Sequence, residues 1–534
     1  MKRDFEQIQN TLFDILVIGG GIQGATICYK AAQRGLRVLL LEKGDFCGSS
    51  SANSLKILHG GLRYLQTLDF RRMRDSIRSR HEIMCFAPHL AAPLACIMPA
   101  YGHGLKGKEI MRLAMLLNDG ISLDRNAGLA ADKHLPAGHS LSKKQCLAEI
   151  PGITEDKLHG ASVWYDALAT NTERLVLEYV HQATELGADC VNYLGVDILN
   201  KNTDGNIRAG VSDRLSDTSF TFKARYVINS AGAAFEDLVP DTGQPSPPVR
   251  WARGLNVVVR KKLFSEAAVA LEEQTSSNGQ KRMLFMVPWR DKFTMIGTHY
   301  VEQARKSELF PVKQQDIMAL VEEINAIYPP AELRFEDVSF YHAGLLPMQL
   351  SSGTGNSDPP ALEKESSIID HGKRDNFEGY FSIKSIKYTT APQVADRVLK
   401  LIDPTPGKKT DVRPYDGIDK VEPQMQTDAY LNRRYRNRGE QVKPYVDASP
   451  GWLDEEQSLT TGEVHYFMQE EMAQHLSDVV FRRSALGTAQ CPPLEVLQAI
   501  TRIMADHLNW DEQRQSMELT QVLQRYAPLQ APSL

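Results

Sequence analysis

The first apolar segments of the chain are ordered as strand, turn, helix and strand. The run "DILVIG" from Asp14 is a nearly continuous apolar stretch, typical of a buried strand. Three glycines follow it, then a segment with helical apolar spacing, then a second apolar run, "RVLLLE", which ends at Glu42. Residues 14–44 are therefore predicted to form a β-α-β unit.

Three further regions show clear patterns in the middle of the chain. The stretch "TNTERLVLEYVHQATELGADCVNYLGVDIL" predicts a helix capped by Asn171 or Thr172, ended by Gly187 and followed by a strand. "FKARYVINSAG" predicts another strand that ends in small residues. Residues 251–300 alternate in strand fashion, so an antiparallel sheet flanked by helices is expected there.

The remaining regions are predicted to be helical or irregular. Residues 68–118 show helical spacing that Pro88 and Pro93 interrupt. Residues 349–378 are polar and rich in helix breakers, so we expect a long surface loop or insertion. Beyond about residue 405 the pattern is helical and amphipathic, most clearly in "EVHYFMQEEMAQHLSDVVFRR", which predicts a C-terminal helical domain.

Composition narrows the class of protein. The 534 residues are 42% hydrophobic and 24% charged, which suffices for a sizeable core. The net charge of −5 gives no basic field, so we predict no nucleic-acid partner. The seven cysteines are scattered without a Cys-x-x-Cys pair, which predicts no metal site and suits a reducing cytosol. No secretory signal or 18-residue apolar run is seen, so the prediction is a cytoplasmic protein, with surface attachment to a membrane left open.

The glycine turn has the chemistry of a dinucleotide site. Gly19, Gly21 and Gly24 give the tight turn, the close backbone approach to a pyrophosphate and the close helix packing that such a site requires. The helix start at Ile22 offers free N–H groups to the phosphates. Glu42 can accept hydrogen bonds from ribose hydroxyls, and an acid there argues against NADP. The pattern alone does not separate NAD from FAD.

The residues after Glu42 favour FAD. "EKGDFCGSSSANSLKILHGGLRYL" resembles the corresponding segment of the FAD-dependent glycerol-3-phosphate dehydrogenases, with Lys56 and residues 59–65 matching throughout. "RYVINSAG", "VPWRDKFTMIGT", "AGLLPM" and "KSIKYTT" resemble later segments of that family in the same order. The likeness covers nearly the whole chain.

This resemblance implies an α/β fold. A Rossmann-like, glutathione-reductase-like FAD-binding domain would be interleaved with a mixed-sheet substrate domain and followed by a C-terminal helical domain. The implied segments are 1–80 and 161–250 for FAD binding, 81–160 and 251–348 for substrate, 349–404 for an insertion loop and the closing FAD segment, and 405–534 for the helical domain.

The resemblance also implies the cofactor contacts. Residues of the glycine turn would hold the pyrophosphate, and the later ones would line the flavin. The predicted contacts are Gly19, Gly21, Ile22, Gly24, Glu42, Lys43, Ser50, Ser51, Lys56, His59, Gly60, Gly61, Leu62, Val196, Ala231, Gly232, Gly344, Lys387, Tyr388 and Thr389. His59 can equally be a buried, hydrogen-bonded scaffold residue.

The chain departs from the family pattern where substrate phosphate is expected. Asn53 and Leu346 replace two arginines, Asn256 replaces a histidine, and a third arginine is missing after Thr390. Since each charge-assisted bond contributes about 1.5–3 kcal/mol, their loss would weaken phosphate binding by orders of magnitude unless it is compensated. The candidates for compensation are Lys56, Arg63, Arg253, Lys384, His299 and His342.

The reaction implied by the resemblance is hydride removal from a hydroxyl-bearing carbon to flavin, followed by electron transfer to quinone or oxygen. Lys387 would stabilise an anion, and His299 or His342 would be the base, because imidazole titrates near neutral pH. Two alternatives remain: a flavoenzyme for an amine or a less anionic alcohol, and a flavin-binding protein without turnover. A small-molecule substrate is expected in the enzymatic readings, and both homodimer formation and attachment to the inner face of the cytoplasmic membrane stay open.

Overall fold

The computed structural model describes residues 1, 3, 5–102, 108–238, 249–272, 283–303, 312–349, 362–403 and 426–530. Its strands are, in chain order, β1 Leu12–Ile18, β2 Val38–Leu41, β3 Ile57–Leu58, β4 Ala91–Tyr101, β5 His139–Ser142, β6 Leu158–Ala169, β7 Asp189–Val191, β8 Leu194–Lys201, β9 Ile207–Asp213, β10 Ser219–Asn229, β11 Trp251–Val259, β12 Ala268–Glu272, β13 Met283–Trp289, β14 Phe293–Gln303, β15 Val338–Pro347, β16 Ser367–Asp370 and β17 Tyr380–Lys384. Its helices are α1 Glu6–Gln9, α2 Ile22–Gln33, α3 Phe70–Phe86, α4 Lys108–Ile121, α5 Lys143–Glu149, α6 Thr172–Glu185, α7 Gln314–Ile327, α8 His371–Asp375, α9 Ala391–Ile402, α10 Gln426–Tyr435, α11 Gly439–Ala448, α12 Thr461–Glu470, α13 Leu494–Leu508 and α14 Glu512–Gln524.

The first sheet places the glycine turn at its centre. Within the described residues its order is β16-β17-β10-β1-β2-β7, with β9 on β10 and β8 on β9. The central strands β17, β10, β1, β2 and β7 pair in parallel. Helices α2, α6 and α9 cover one face through a common apolar core that includes Ala25, Val176 and Val394. Because β1 lies between β10 and β2, the turn that follows it opens at the middle of the carboxyl edge.

The second sheet is mostly antiparallel and alternates with the first along the chain. Its order is β15-β11-β14-β13-β12-β4-β6-β3, with β5 on β6. Helix α7 packs on one face through Ile317 and Leu320, against Leu255 and Val257 of β11. The other face shares a core with helices α10–α14. Strands β7–β10 return to the first sheet between β6 and β11, so the two sheets are interleaved, as predicted for the α/β fold.

Several predicted elements are confirmed. The β-α-β unit of residues 14–44 is β1, α2 and β2. The Asn171 side chain caps α6 by accepting a hydrogen bond from the Arg174 amide, and Gly187 follows the helix with a φ of +92°. Strands β11, β13 and β14 pair antiparallel, as the alternation of residues 251–300 predicts.

Other predictions need correction. Residues 91–101 of the predicted helical region form strand β4, which pairs with β6 along its length; Pro93 and Pro99 suit this strand because an interior proline would disrupt a helix. The predicted domain boundary at residue 160 falls inside β6, which stays in the second sheet to Ala169.

The expected surface loop at 349–378 is also partly wrong. Residues 362–378 of this range are all described. They include helix α8 and strand β16, which pairs antiparallel with β17 at the edge of the first sheet. Residues 350–361 lie outside the described part of the chain.

The helix predicted across residues 463–483 is two elements. Helix α12 ends at Glu470, and a π-helical turn, Asp478–Arg483, follows after a break. Glu471 lies in that break with a carboxylate that is fully buried against Arg174. An amphipathic pattern does not show such a break, since the partner of Glu471 is distant in sequence.

Candidate functional site

The glycine turn leaves no room for side chains. Gly19 has a φ of +100°, and a Cβ atom there would lie 2.7 Å from the carbonyl oxygen of Ser230. A Cβ atom on Gly24 would lie 1.9 Å from the carbonyl oxygen of Gly19. The first contact fixes the turn against the end of β10, and the second lets α2 cross the turn in direct backbone contact. Both positions therefore require glycine, as the pattern predicts.

Glu42 lies beside the turn at the end of β2. Its Oε2 accepts a hydrogen bond from the Gly20 amide at 2.6 Å, and its Oε1 accepts one from the Gly44 amide at 2.9 Å. Burial raises the pKa of Glu42, although these two amide donors act in the opposite direction. A carboxylate held at this edge is an acceptor suited to the ribose of a dinucleotide.

Ser50 and Ser51 connect the turn to the second sheet. The hydroxyl of Ser51 accepts a hydrogen bond from the Ile22 amide, the first of α2, at 3.0 Å. The hydroxyl of Ser50 donates to the carbonyl oxygen of Leu345 at 3.3 Å. A Cβ atom on Gly344 would lie 3.0 Å from the same Ser50 hydroxyl oxygen. The amide-lined mouth, the adjacent carboxylate and the absence of room for side chains at the turn fit the ADP part of FAD.

His59 is held by a buried aspartate. Its Nδ1 lies 3.2 Å from Oδ2 of Asp166, and 44% of its side chain is exposed. Oδ1 of Asp166 accepts hydrogen bonds from the Gly60 amide at 2.6 Å and from Arg80 at 2.7 Å, and the Trp164 indole donates to Oδ2 at 3.2 Å. The aspartate thus holds the imidazole through Nδ1 and leaves nearly half of the side chain exposed.

The charge of Asp166 is stabilised by these donors. Burial would raise the pKa of this carboxyl, but His59, Arg80 and the Gly60 amide lower it to about 2. The family motif points to His59 and Gly60 but not to Asp166. The sequence feature that could have revealed Asp166 is its place as a single acid inside the apolar run "VWYDALA" of β6. Acids occupy such a buried position only when they are paired.

The segment after β17 lies next to His59 and Tyr64, and the region around these residues is here called the cleft. Lys387 donates a hydrogen bond to the Tyr64 hydroxyl, and its ammonium lies 4.3 Å from the centroid of that ring. The Thr389 hydroxyl accepts a hydrogen bond from the His59 amide at 3.2 Å. Tyr388 donates to the carbonyl oxygen of Thr172 at 2.9 Å. These contacts bring the Lys387–Thr389 segment, which the resemblance places at the flavin, next to His59.

Three predicted side chains are engaged elsewhere. Lys56 is buried and donates to Glu173 at 2.7 Å and to Thr172 at 2.6 Å, so its ammonium stabilises the start of α6. His299 lies 2.7 Å from Glu323 of α7. His342 is 1% exposed, and burial holds its pKa well below the usual range.

These placements correct the predicted bases. The His299 ring lies on the α7 side of the sheet, opposite the side on which its neighbours Thr298 and Tyr300 lie against Gly254. A base must meet its substrate in the cleft, and His342 is almost fully enclosed by protein. His59 meets this requirement better than either.

The remaining predicted cofactor residues lie in four separate segments of the chain. The Ser230 amide donates to the carbonyl oxygen of Ile18 at 2.8 Å, which sets Ala231 and Gly232 beside the end of β1. Val196 is 9% exposed on β8. Lys43 is exposed, Gly61 has a φ of +83°, and Leu62 starts the next helical turn.

The positions at which the family pattern is expected to bind substrate combine apolar and neutral polar groups. Leu346, Thr298 and Tyr300 surround Gly254, where a Cβ atom would lie 3.0–3.3 Å from each. The Thr298 hydroxyl donates to Oδ1 of Asn256 at 2.7 Å. The family histidine and arginine are thus replaced by a hydrogen-bonded amide and an aliphatic side chain.

Most candidates for replacing the missing arginines are already paired. Arg253 lies 2.9 Å from Asp316 of α7, and Lys384 is paired with Glu363. Arg63 is exposed and close enough to Tyr300 to favour the ionised form of its phenol. Burial is the larger influence and raises the pKa of Tyr300. Of the cations considered, Arg63 lies near Tyr300 and Lys387 lies against Tyr64.

A glycine turn with a carboxylate acceptor, next to an aspartate-held histidine, defines a dinucleotide-dependent oxidoreductase. Residues 14–378 match the model of the FAD dependent oxidoreductase family, so the chain belongs to that family. Residues 415–515 match the model of the C-terminal domain of alpha-glycerophosphate oxidase.

Named relatives agree with the resemblance found in the sequence. The chain is 29% identical to a glycerol-3-phosphate dehydrogenase of Synechocystis, over 96% of each chain. It is 28% identical to an aerobic glycerol-3-phosphate dehydrogenase of Staphylococcus aureus, over 74% of this chain and 68% of that one. The structure of a glycerol-3-phosphate dehydrogenase from Bacillus halodurans complexed with FAD superimposes with a TM-score of 0.73, covering 99% and 97% of the two chains at 21% identity. At that identity the match shows the fold alone.

The ion pairs of Asp166 predict a pH-dependent stability. Its pKa is lowered from 3.8 to about 2, so it stabilises the fold above pH 4 and loses that contribution as the pH falls toward 2. We expect Asp166→Asn to be about 2 kcal/mol less stable near neutral pH and to lack this share of the acid dependence. The measurement is the free energy of unfolding in urea at several pH values.

Asp156→Asn, at an exposed position, serves as the control and should follow the wild-type curve. Parallel curves for Asp166→Asn and the wild type would contradict the prediction.

Proposed function

We propose that the protein is an FAD-dependent dehydrogenase that oxidises the hydroxyl-bearing carbon of glycerol 3-phosphate or a close analogue, with quinone or oxygen as the final acceptor. The observation that carries the proposal is that the His59 amide donates a hydrogen bond to Thr389, which brings the Asp166-held imidazole close to the segment that carries Lys387 and its partner Tyr64. The two named glycerol-3-phosphate dehydrogenases described above support the donor class.

His59 is the base in this proposal. Asp166 holds Nδ1, so Nε2 is available for the hydroxyl proton of the donor, and the buried carboxylate stabilises the imidazolium that forms. FAD, when bound, supplies the two-electron oxidant. The donor loses one proton to His59 and one hydride, which together convert the alcohol to a ketone.

Arg63 and Lys387 hold the anionic part of the donor. Both are cations at the cleft, and Tyr64 orients the Lys387 ammonium through a hydrogen bond and its ring. Leu346 supplies an apolar wall where the family has an arginine. A less anionic alcohol or amine is the second candidate, and the replacement of charged groups by Leu346 and Asn256 is the observation that favours it.

Anaerobic reduction by a panel of donors tests the proposed function. Glycerol 3-phosphate is expected to bleach the yellow flavin absorbance of the purified holoenzyme, whereas glycerol, which lacks the phosphate, is expected to do so with a much higher half-saturation concentration. The readout is flavin absorbance against donor concentration. Bleaching by an uncharged alcohol or an amine, with none by glycerol 3-phosphate, would favour the second candidate.

His59→Gln tests the assignment of the base. The substitution keeps a hydrogen-bonding side chain but removes the proton acceptor, so the rate of flavin reduction should fall by about 10²–10⁴-fold while FAD stays bound. Stopped-flow absorbance with saturating donor measures this rate. His299→Gln is the matched control and should reduce flavin at nearly the wild-type rate, because Glu323 holds its ring on the other side of the sheet. Equal rates for His59→Gln and the wild type would remove His59 from the mechanism.

A peripheral contact with a membrane is a second proposal, supported by one surface. Arg74 of α3 donates to the carbonyl oxygen of Ile121 at 2.9 Å and pairs with Asp124, which joins the start of α3 to the end of α4. Arg71 and Arg78 are exposed on α3. Among the described helices, none has the length and apolar character to cross a bilayer. The apolar side chains exposed around this junction are Leu68, Phe70, Leu116, Leu117 and Leu123, at 69%, 45%, 63%, 43% and 85%.

Co-sedimentation with vesicles tests this surface. The protein is expected to bind phosphatidylglycerol vesicles better than neutral phosphatidylcholine vesicles, since arginines accompany the apolar side chains. Leu68→Asp with Leu123→Asp should weaken binding by about tenfold or more, because burying each leucine contributes about 1.5–3 kcal/mol. Leu494→Asp, at a half-exposed site in the C-terminal domain, should leave binding unchanged. Wild-type binding by the double variant would exclude this surface.

A further inference from the structure

The segment that carries Glu42, Ser50 and Ser51 is irregular. Residues 42–53, here named the flavin loop, connect β2 toward β3 through turns without forming helix or strand. They contact the glycine turn at both ends, through Glu42 to the Gly20 amide and through Ser51 to the Ile22 amide. A loop of this kind needs outside contacts to hold its side chains in place.

The C-terminal domain supplies such contacts at Asp45. This aspartate is 4% exposed, and its Oδ2 accepts hydrogen bonds from Arg482 and Arg483, each at 2.5 Å. Its Oδ1 accepts from Arg483 at 2.8 Å and from Asn192 at 3.0 Å. Asp45 lies in the loop three residues after Glu42, so two guanidinium groups from the distant end of the chain fix the loop near its ribose-side carboxylate.

The same C-terminal turn also holds the strand connection behind the loop. Asp478 accepts a hydrogen bond from the Tyr193 hydroxyl at 2.7 Å and pairs with Arg482. The Tyr193 amide donates to the carbonyl oxygen of Gly44 at 2.8 Å, and the Leu194 amide donates to that of Glu42 at 2.8 Å. Arg482 therefore acts on the flavin loop twice, directly through Asp45 and indirectly through Asp478 and Tyr193.

A second buried ion pair across the same domain boundary avoids the loop. Arg438 is 4% exposed and pairs with Glu178 on α6. It has the same chemistry as the Asp45 contacts, a guanidinium of the C-terminal domain on a buried carboxylate of the first-sheet domain. It therefore provides a matched comparison for what contact with the flavin loop adds.

We propose that Arg482 and Arg483 are positioning residues for the cofactor: by fixing Asp45 they hold the flavin loop over the glycine turn, so the affinity for FAD depends on the C-terminal domain. The proposal rests on the FAD-binding part of the proposed function and not on the donor. Removing a guanidinium leaves Asp45 buried with less compensation, which favours movement of the loop that carries Glu42 and Ser51.

Titration of apoprotein with FAD tests this proposal without substrate. In Arg482→Met the Kd for FAD, measured by quenching of flavin fluorescence, is expected to rise at least tenfold. Arg438→Met is expected to lower the Tm to a similar degree but to keep the Kd within twofold of the wild type. Amide hydrogen exchange across residues 42–53 should be faster in the Arg482→Met apoprotein and unchanged in Arg438→Met.

Arg482→Lys is the conservative variant and should give an intermediate Kd, since lysine keeps the charge but lacks the fork that reaches both Asp45 and Asp478. This variant carries the test if Arg482→Met does not fold. A wild-type Kd in either Arg482 variant, or a rise in Kd that Arg438→Met matches, would overturn the proposal. Failure of wild-type apoprotein to bind FAD would instead refute the proposed function.

Discussion

The backbone contact between α2 and the glycine turn is the constraint on which the site depends. Since a single carbon atom on Gly24 would stand 1.9 Å from the Gly19 carbonyl oxygen, the helix can occupy this position only while both residues are glycine. The helix is also buried along nearly its whole length, between β1, α6 and α9. The first amides of α2 are consequently fixed relative to β1 and β2. Since Glu42 lies at the end of β2, its position relative to these amides is fixed as well. The geometry of a cofactor site of this kind is therefore set by backbone packing and not by the choice of side chains.

The chemistry of the cleft is assembled from segments far apart in the chain. Asp166 of β6 is hydrogen-bonded to His59, Gly60 and Arg80. Thr389, which follows β17 of the other sheet, accepts a hydrogen bond from the His59 amide. A buried carboxylate with this many donors stays charged, because each donor offsets part of its desolvation. The same balance holds at Asp45. Burial would raise the pKa of its carboxyl, but its arginine partners lower that pKa to about 2. Buried carboxylates thus hold both the surroundings of His59 and the flavin loop in place.

These two aspartates mark the limit of what the sequence can predict. The β-α-β unit and the cap at Asn171 were predictable because their signals are local: apolar period, glycine spacing and a side chain that bonds its own helix. His59 was found through a motif. Asp166 and Asp45 were missed because their roles depend on partners that the fold brings together. Strand β4 was missed for a similar reason, since its pairing with β6 outweighed a helical pattern that its prolines already disfavoured.

The departures from the family pattern separate donor binding from the chemical step. His59 and Asp166 lie at the β3–β6 side of the second sheet, whereas Asn256, Thr298 and Leu346 belong to β11, β14 and β15 at its other side. In the proposed function, substitution at the latter positions can change which donor binds without moving His59, the proposed base. With Arg63 and Lys387 as the proposed donor-binding cations, charge-assisted bonds of about 1.5–3 kcal/mol each would still favour an anionic donor. We therefore expect that having fewer such bonds than the family pattern supplies mainly weakens donor binding, while the rate at saturation depends on the proposed base.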